Sequence, residues 1–457
     1  MEVREKNVSV IGLGISGRAV SMLLKHMGAR VFAMDSNNSG ELRETVSELL
    51  ASGIEAYIGL YRQDLIERSD IIVTSPGVSD VAWPIVIAQR RSIPVVSEIE
   101  AASWFLTNDI IAVTGSNGKS TIVTLIDMML KESGRKSILC GNIGRAFSSI
   151  VLSARPDHHI VLEASSFQLK YVDDFKPRVA LISNITQNHL DVHRDFNDYF
   201  RCKRNIYKHQ TQNDFFVLNS DDDKLVSLQP MPRSKIYYFS MKKTVAGFYL
   251  KDGFFVANMF GENQRLCSVD EVLLSGAHNY SNILASCCCA RLAGATLDGM
   301  RAVLKNFKGL AHRCERIAAF NGVRYIDDSK STSVDACAAA LKAFSGKAVL
   351  IAGGRDKGSD FTAIGGLVRQ KVRMMVVIGE ARGKIKRDLS AFTQVKEASC
   401  MEEAVGIARD KAVPGDFVLL SPMCASFDMY KSYAARGEAF KESVLRFIPV
   451  TGKGQVL

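Results

Sequence analysis

The sequence lacks a long apolar run, and this argues against a membrane-spanning protein. Of its 457 residues, 47% are hydrophobic and 23% are charged, which is the balance of a globular protein rather than a disordered or fibrous one. No run approaches the roughly 18 apolar residues that cross a bilayer. The opening stretch MEVREKNVSVIGLG passes from charged residues into a strand-like run with no apolar leader segment. We therefore expect a cytoplasmic protein with no membrane span.

Paired cysteine motifs are also lacking. Ten cysteines are scattered along the chain, three of them adjacent at Cys287, Cys288 and Cys289, and no CxxC pair occurs. This argues against disulfide or metal frameworks. Free, buried cysteines in a reducing compartment are the expectation.

Blocks of basic residues are missing as well. The net charge of +10 comes from 58 basic and 48 acidic residues that are dispersed along the chain. Without a basic block interleaved with aromatics, nucleic acid is disfavoured as a partner. Small polyanionic substrates suit the same positive bias.

Short Val- and Ile-rich runs alternate with longer helical segments along the chain. The runs are NVSVIGLG, DIIVTSPG, DIIAVTGS, HIVLEAS, KAVLIAGG, RMMVVIGE and DFVLLSP. This alternation predicts an α/β fold with mostly parallel sheets covered on both faces. Most of the runs end in small or polar residues, and ligands of such sheets bind at the carboxyl ends of the strands.

The length predicts about three domains at roughly 150 residues each. We expect their boundaries at residues 1–97, 98–308 and 309–457, with a glycine-rich turn opening the first and a phosphate-binding loop in the second. Between Asp214 and Asp270 the pattern changes to short alternating runs. That change predicts an antiparallel hairpin excursion inside the middle domain.

A glycine-rich turn follows the first strand-like run. Gly12, Gly14 and Gly17 form G-x-G-x-x-G, and Asp35 ends the next run, VFAMD. The spacing allows a diphosphate to approach a helix start, with an acidic group for ribose or base. By itself it does not separate NAD from UDP, or either from a purely structural turn.

A second turn, TGSNGKST, follows the run DIIAV and opens the helical segment TIVTLIDMMLKESG. It lacks the first glycine of the usual phosphate-binding loop, because Val113 stands there. Backbone N–H groups at such a helix start cradle phosphates, Lys119 supplies a positive charge, and Ser120 or Thr121 offers a hydroxyl to Mg²⁺.

Polar residues follow two later strand-like runs. Glu163 lies in VLEASSFQL, and His189 and Asp191 lie in NITQNHLDVH. Near a phosphate-binding loop they are candidate Mg²⁺ ligands. Lys203, in YFRCKRNIYKH, reads from its local pattern as a lysine on a solvated helix face.

Eight stretches together resemble the Mur ligases, and the last three resemble the branch of that family that adds D-glutamate. They are GSNGKST, EASSFQL, NITQNHLDVH, SGAHNYSN, GLAHRCERI, DDSKSTS, GGRDKGSDF and SPMCASFDMYKSYAARG. The resemblance runs from Val8 to about Phe440. It implies a Rossmann-like UDP-binding domain, a central ATPase domain whose shorter loop serves to make an acyl phosphate, and a Rossmann-like carboxyl-terminal domain.

The activity that this resemblance implies is an ATP-dependent ligase of peptidoglycan precursor synthesis, and hence of cell-wall growth, cell shape and division. It would add D-glutamate to UDP-N-acetylmuramoyl-L-alanine, act as a monomer and use small-molecule partners only. Alternatives are another Mur ligase, a folylpolyglutamate synthase, a nicotinamide-dependent dehydrogenase and a non-catalytic nucleotide-binding regulator. The dehydrogenase would leave TGSNGKST and EASSFQL without a role.

The resemblance also implies site residues. For UDP and the muramoyl group these are Gly14, Ile15, Ser16, Asp35, Ser36, Ser75, Gly77 and Asn142. For ATP they are Gly115, Ser116, Asn117, Gly118, Lys119, Ser120, Thr121, His278, Asn279, Asn282, Arg313 and Asp328. For D-glutamate they are Lys330, Thr332, Lys357, Ser426 and Phe427. Two Mg²⁺ ions would be held by Ser120, Glu163, His189 and a carbamylated Lys203, and the catalytic set would be Lys119, Glu163, His189 and Lys203.

Three residues depart from the family pattern. Asn188 stands where Asp often precedes the histidine, Ser333 replaces a frequent Asn, and Met423 replaces a usual Ala. None of these changes removes an implied ligand.

Overall fold

The computed structural model describes residues 2–186, 193–274, 276–356 and 358–447, and the backbone of 455–456. The chain forms two compact units, Met1–Phe307 and Lys308–Leu457. The first unit contains two sheets and the second contains one. Within the described ranges, no helix is both long and apolar enough to cross a membrane.

The amino-terminal sheet has five parallel strands. In chain order they are β1 (Asn7–Ile11), β2 (Arg30–Asp35), β3 (Glu55–Ile58), β4 (Ile71–Thr74) and β5 (Val95–Ser97). Their order in the sheet is β3-β2-β1-β4-β5. The helices are α1 (Ile15–His26), α2 (Gly40–Ala51), α3 (Gln63–Glu67), α4 (Trp83–Arg90) and α5 (Glu98–Ser103). Because the order reverses direction between β1 and β4, the turns after these two strands meet at one crevice.

The second sheet has nine strands. They are β6 (Ile110–Thr114), β7 (Lys136–Gly141), β8 (His158–Glu163), β9 (Val179–Ile182), β10 (Phe215–Asn219), β11 (Lys235–Ser240), β12 (Gly247–Lys251), β13 (Phe254–Met259) and β14 (Glu262–Ser268). The order is β14-β13-β12-β11-β10-β9-β6-β8-β7. The helices are α6 (Lys119–Glu132), α7 (Ser166–Lys170), α8 (Phe196–Arg204), α9 (Asp223–Val226), α10 (Ala277–Leu292) and α11 (Leu297–Asn306). Only the pairings among β12, β13 and β14 are antiparallel in this sheet as described.

The third sheet has seven strands in the order β19-β18-β17-β20-β16-β15-β21. They are β15 (Glu315–Phe320), β16 (Val323–Asp327), β17 (Ala348–Gly353), β18 (Val372–Ile378), β19 (Gln394–Glu397), β20 (Phe417–Leu420) and β21 (Gln455–Val456). The helices are α12 (Val334–Ala343), α13 (Gly365–Lys371), α14 (Arg382–Leu389), α15 (Met401–Lys411) and α16 (Tyr433–Phe447). β15 runs antiparallel to both of its neighbours, and the other pairings are parallel.

Strand β17 shows why the parallel strands read as continuous apolar runs. Leu350 packs into the core cluster on one face of the sheet, whereas its neighbours Val349 and Ile351 pack into the cluster on the other face. Because helices cover both faces, every position must be apolar. The same reasoning applies to β6, whose five residues are all buried.

The predicted α/β fold with mostly parallel sheets is confirmed. All seven quoted runs form strands, and the hairpin excursion predicted after Asp214 is the β12-β13-β14 ribbon. The ten cysteines are free, and eight are buried as expected. Cys400, in contrast, is exposed, and Cys314 is half-buried.

Candidate active site

The glycine-rich turn between β1 and α1 is tight for a steric reason. Gly12 has φ of +89°, and a Cβ at Gly17 would lie 1.7 Å from the Gly12 carbonyl oxygen. Asp35, at the end of β2, accepts hydrogen bonds from Leu13 N at 2.8 Å and Asn37 N at 2.8 Å. Both carboxylate oxygens therefore already hold the backbone of this crevice in shape.

Six other residues predicted for UDP and the muramoyl group lie along the same edge of the sheet, whereas Asn142 follows β7 in the second sheet. Ser75 Oγ donates to the Gly12 carbonyl at 2.8 Å, which joins the turns after β1 and β4. Ile15 opens α1 and is 78% exposed. Tyr61 Oη donates to Ser36 Oγ at 3.3 Å. Gly14 is the residue before α1, Ser16 lies in its first turn, and Gly77 follows β4.

A cavity of about 710 Å³ continues from this turn along α1. Helix α1 contributes Ile15, Arg18 and Met22 to its lining, and the segment between β7 and β8 contributes Arg145 and Leu152. Arg18 pairs with Glu48, which also lines the cavity. Apolar and basic groups thus extend beside the predicted UDP end of the site.

The phosphate-binding loop between β6 and α6 is held against two other elements at its glycines. A Cβ at Gly118, which has φ of +83°, would lie 2.2 Å from Asn282 Oδ1 on α10. A Cβ at Gly115 would lie 2.0 Å from Ser183 Oγ, just after β9. Any side chain at either position would therefore push the loop away from its supports.

Asn184 holds the same loop from the end of β9. Its carbonyl accepts from Ser116 N at 3.0 Å, its Oδ1 accepts from Asn117 N at 3.0 Å, and its Nδ2 donates to the Asn117 carbonyl at 3.0 Å. Asn184 was not among the residues predicted for this loop. It could have been predicted from its position as the second polar residue after β9, at the start of NITQNH.

The amino groups of two lysines meet at one carbonyl oxygen of the loop. Lys119 Nζ donates to the Gly115 carbonyl at 2.9 Å and to that of Ser116 at 3.2 Å. Lys203 Nζ donates to the same Gly115 oxygen at 2.9 Å and to Thr114 Oγ1 at 3.2 Å. Lys203 is only 1% exposed. The prediction of a surface lysine from its local pattern is therefore wrong. The last turn of α8 delivers it to the end of β6.

This environment lowers the pKa of Lys203 well below its usual value. Burial is the largest cause, because it penalises the ammonium form, and the neighbouring charge of Lys119 is the next. The Nζ atom also lies 4.8 Å from the centre of the Tyr199 ring. A lysine held in this way gives up its proton more readily than a solvated one.

Glu163 ends β8 with one carboxylate oxygen unused. Its Oε1 accepts from Asn142 Nδ2 at 2.9 Å, whereas its Oε2 is buried with no hydrogen-bond partner among the described residues. Ser120, in the first turn of α6, is also buried. An orphaned carboxylate oxygen beside a phosphate-binding loop fits a hard cation such as Mg²⁺, which prefers oxygen ligands. His189 and Asp191 lie outside the described residues.

Helix α10 carries three of the residues predicted for ATP, which are His278, Asn279 and Asn282. Asn282 is buried against Gly118, as described above, so this residue reaches the loop. His278 and Asn279 lie in the first turn of α10, where His278 is exposed and Asn279 is half-buried.

In the carboxyl-terminal unit, Asp328 ties three segments together. It accepts from Cys314 N at 3.2 Å, from Ser421 Oγ at 3.0 Å and from Ser331 Oγ. Burial raises the pKa of Asp328 to about 6, while these hydrogen bonds and the charge of Arg313 oppose the shift. Asp328 therefore shapes the loop after β16.

The residues predicted for D-glutamate follow β16 and β20. Lys330 Nζ lies 5.3 Å from the centre of the Tyr433 ring, a contact that sequence reasoning missed. Ser426 is buried, whereas Phe427 is 59% exposed and is therefore not a core residue. Thr332 is half-buried beside Lys330. Lys357 lies outside the described residues.

Ser333, one of the three departures, caps α12, since its Oγ accepts from Ala336 N at 3.3 Å. Met423 is buried with φ of +60°. Asn188 lies outside the described residues.

Three family models match this chain in succession. They are the Mur ligase MurD-like amino-terminal domain over residues 6–97, the Mur ligase middle domain over 113–290, and the Mur ligase glutamate ligase domain over 312–424. The chain therefore belongs to the Mur ligase family, and it is a ligase. The family predicted from the sequence motifs is confirmed.

Similar proteins cover almost the whole chain. A UDP-N-acetylmuramoylalanine–D-glutamate ligase of Pelotomaculum thermopropionicum is 42% identical over 443 residues, which is 96% of this chain and 97% of that protein. The protein of the same name from Caldanaerobacter subterraneus is 38% identical over 450 residues, 97% of this chain and 99% of that one. Among solved structures, the MurF ligase of Thermotoga maritima in complex with ADP has a TM-score of 0.55 at 18% identity, with 98% of this chain and 97% of that chain covered. This last likeness concerns the fold.

Proposed function

We propose that this ligase joins the amine of D-glutamate to the alanine carboxylate of UDP-N-acetylmuramoyl-L-alanine at the expense of ATP. The observation that carries the proposal is the cluster at the end of β6, where Lys119 and Lys203 share the Gly115 carbonyl. An NAD-dependent enzyme has no use for such a cluster. Relatives named for this reaction, at 42% and 38% identity over nearly full length, support the choice of substrates.

The reaction then has two displacements. The alanine carboxylate attacks the γ-phosphorus of ATP, an O–P bond forms, the bond to the β-phosphate oxygen breaks, and ADP leaves. The backbone N–H groups of Gly118 and Lys119 and the Lys119 ammonium would stabilise the charge on the phosphoryl oxygens. In the second step the D-glutamate amine attacks the acyl phosphate, loses a proton, and phosphate leaves.

We propose that two Mg²⁺ ions are held by Glu163, Ser120, His189 and a carbamylated Lys203. The fit rests on the orphaned Oε2 of Glu163 and on the buried Ser120 and Lys203 beside the loop. When bound, the ions neutralise charge on the phosphate oxygens. Among the described ligands, Glu163 ends β8, Ser120 lies in the first turn of α6 and Lys203 lies in the last turn of α8.

Lys203 serves as an oxygen ligand in this proposal through a carbamate. A neutral lysine amine adds to CO₂, releases a proton and becomes an anion with two oxygen ligands. The lowered pKa of Lys203 supports this step, because burial and Lys119 already favour the neutral amine. An ammonium at this position would instead repel a divalent cation.

The carbamate has a direct test. Replacing Lys203 with Ala should collapse activity, and a short carboxylic acid in the buffer should partly restore it by supplying the missing oxygens. The same acid should not help Lys119→Ala. Stripping bicarbonate at mildly acidic pH should lower the activity of the parent. Labelling with carbon-13 bicarbonate reports the adduct itself, and its absence from an active, Mg²⁺-loaded enzyme would refute the ligand role.

The UDP end is proposed to lie on the first sheet. Gly14, Ile15, Ser16, Asp35, Ser36, Ser75, Gly77 and Asn142 would contact it. Asn142 supports this arrangement because it bonds to Glu163, so the muramoyl side and the phosphate-transfer side are adjacent within the first unit. Isothermal titration should give affinity for UDP and none of comparable strength for NAD.

In the carboxyl-terminal unit, Arg313 and Asp328 are proposed to contact ATP, as are His278, Asn279 and Asn282 of the first unit. Lys330, Thr332, Lys357, Ser426 and Phe427 are proposed to bind D-glutamate. Two lysines and two hydroxyls suit an amino acid with two carboxylates. We also propose the domain limits 1–97, 98–308 and 309–457, a cytoplasmic location and a monomer, whose mass light scattering measures.

The decisive experiment is a substrate panel. Phosphate release should require UDP-N-acetylmuramoyl-L-alanine and D-glutamate together, and L-glutamate, L-alanine and L-lysine should not replace D-glutamate. Turnover with another muramoyl precursor or another amino acid would assign the chain to a different ligase of the family.

A further inference from the structure

A guanidinium group is buried beneath three loops of the carboxyl-terminal unit. Arg436, in the first turns of α16, is 1% exposed. Its Nε donates to Ser329 Oγ at 3.0 Å and its Nη2 to the Ser329 carbonyl at 2.8 Å. Its Nη1 faces the carbonyls of Cys424 at 3.1 Å, Ala425 at 3.2 Å and Gly353 at 3.4 Å. One side chain therefore bridges the ends of β16, β17 and β20.

Burying Arg436 in this way costs more free energy than a residue that only stabilises the fold would recover. Burying a charge without an opposite charge is unfavourable, and the described acceptors of Arg436 are one hydroxyl and four carbonyl oxygens. Burial lowers the pKa of Arg436 to about 10, so the group stays charged at neutral pH. Its value to the protein lies in the planar fork of donors, which fixes several acceptors in one geometry.

The acceptors are next to the residues proposed for D-glutamate. The Ser329 carbonyl belongs to the peptide bond whose N–H is that of Lys330. The Ala425 carbonyl belongs to the peptide bond whose N–H is that of Ser426. A hydrogen bond to each carbonyl therefore sets the orientation of the peptide plane from which Lys330 or Ser426 extends.

Helix α16 is fastened to the same loop by two further contacts. Ser329 Oγ donates to the Tyr433 carbonyl at 2.7 Å. A Cβ at Gly437 would lie 2.1 Å from His312 Nδ1 and 2.6 Å from Asp327 Oδ2, so the helix sits directly on this buried pair. Arg436 is thus presented from a helix that has no room to shift toward the loop.

We propose that Arg436 is a positioning residue for the amino-acid acceptor site. It holds the peptide groups before Lys330 and Ser426 so that their side chains converge on the incoming amino acid, and it does not touch that substrate itself. The inference rests on the proposed function, since it takes Lys330 and Ser426 as acceptor-binding residues.

The test compares Arg436→Lys with Arg373→Lys in the full-length enzyme. Arg436→Lys keeps the positive charge but removes the planar guanidinium group and its fork of donors. The second is the matched control, because Arg373 makes a two-pronged ion pair with Asp416 at the amino ends of strands in the same sheet. Arg436→Lys should raise the KM for D-glutamate about ten- to hundredfold and leave the KM for ATP within about threefold. Arg373→Lys should change neither.

A second measurement distinguishes a local effect of Arg436→Lys on these loops from a general loss of stability. Hydrogen exchange should accelerate in peptides covering 329–332 and 421–427 of Arg436→Lys, and not in those of Arg373→Lys. Methylguanidinium added to Arg436→Ala should lower the KM for D-glutamate toward that of the parent. Equal rises in both KM values, or a normal KM for D-glutamate in a folded variant, would overturn the positioning role.

The parent enzyme separates this inference from the proposed function. The substrate panel first establishes which amino acid the parent accepts. If it is not D-glutamate, the proposed function fails, but Arg436→Lys should still raise the KM for the amino acid that is accepted. If D-glutamate is accepted and its KM does not respond, only the role of Arg436 fails.

Discussion

Lys203 in the first unit and Arg436 in the second are both buried cations, each 1% exposed and each bonded to backbone carbonyl oxygens. They differ in what burial does to the proton. The pKa of Lys203 falls well below its usual value, because an ammonium is a compact charge that depends strongly on hydration. The pKa of Arg436 falls only to about 10, because the guanidinium spreads its charge over a plane of donors.

The difference suits each residue to its position. A lysine that loses its proton becomes a nucleophilic amine, which is what carbamate formation needs. An arginine that keeps its charge remains a fixed hydrogen-bond donor to three loops. Two buried cations with similar exposure therefore support opposite roles, one chemical and one architectural.

Of the substitutions that test this comparison, Lys203→Arg should have the largest effect on activity. The guanidinium stays charged, cannot form a carbamate and repels Mg²⁺, so kcat should fall about a thousandfold. Lys203→Met, which removes the charge at similar length, should also be inactive but at least as stable as the parent. Steady-state phosphate release and thermal unfolding measure the two effects. Substantial activity in Lys203→Arg would mean that Lys203 acts as a cation.

Replacing Lys119 with Ala should have the next largest effect. The charge that meets the γ-phosphoryl group is lost, which should raise the barrier by about 3 kcal/mol, or roughly a hundredfold in rate. Trapping of the acyl phosphate with hydroxylamine measures this step. Lys131→Ala is the control, since Lys131 lies on the same helix and pairs at the surface with Asp127 at 2.8 Å. Turnover within a few-fold of the parent would contradict the assignment of the loop.

The third-largest effect should be on how the free energy of unfolding depends on pH, which is where Lys203 and Arg436 differ. Since the folded pKa of Lys203 is lowered, the unfolded chain binds more protons, and the stability contribution of this group is lost as pH falls below about 10.4, the ordinary lysine value. In CO₂-free buffer, Lys203→Met should therefore flatten the pH slope by at most about 1.4 kcal/mol per unit. Urea unfolding between pH 7 and 9 measures the slope. Equal slopes in parent and variant would indicate a solvated lysine.

Replacing Ser329 with Ala should give the smallest effect. It removes the hydroxyl between Arg436 Nε and the Tyr433 carbonyl but leaves four carbonyl acceptors in place. The free energy of unfolding should drop by about 1 kcal/mol, and the KM for D-glutamate should rise only a few-fold. Ser443→Ala, elsewhere on α16, serves as the control because the contact of its Oγ among the described residues lies within that helix, to the Ala439 carbonyl. A loss as large as that of Arg436→Lys would shift the positioning role to Ser329.

Much of the site follows from strand ends that are visible in the sequence. Asp35, Glu163 and the loop from Gly115 to Thr121 were predicted because each follows an apolar run, and parallel strands bring such residues to one edge. Asn184 carries the same signal and was overlooked. Tyr433 and Arg436 carry no such signal, since they lie on a helix and act on loops that are distant in sequence.

The alternation of strands and helices, the two glycine turns and the family could be predicted from the sequence, because local periodicity and short motifs encode these features. Which charges are buried became known from the folded chain. Lys203 looks like a surface residue on its helix, and it becomes a perturbed amine because α8 carries it to the end of β6, beside Lys119. Arg436 looks like one arginine among many, and it becomes a bridge because three strand ends converge on it. Burial and the distances between charges depend on residues far apart along the chain, so no local pattern specifies them.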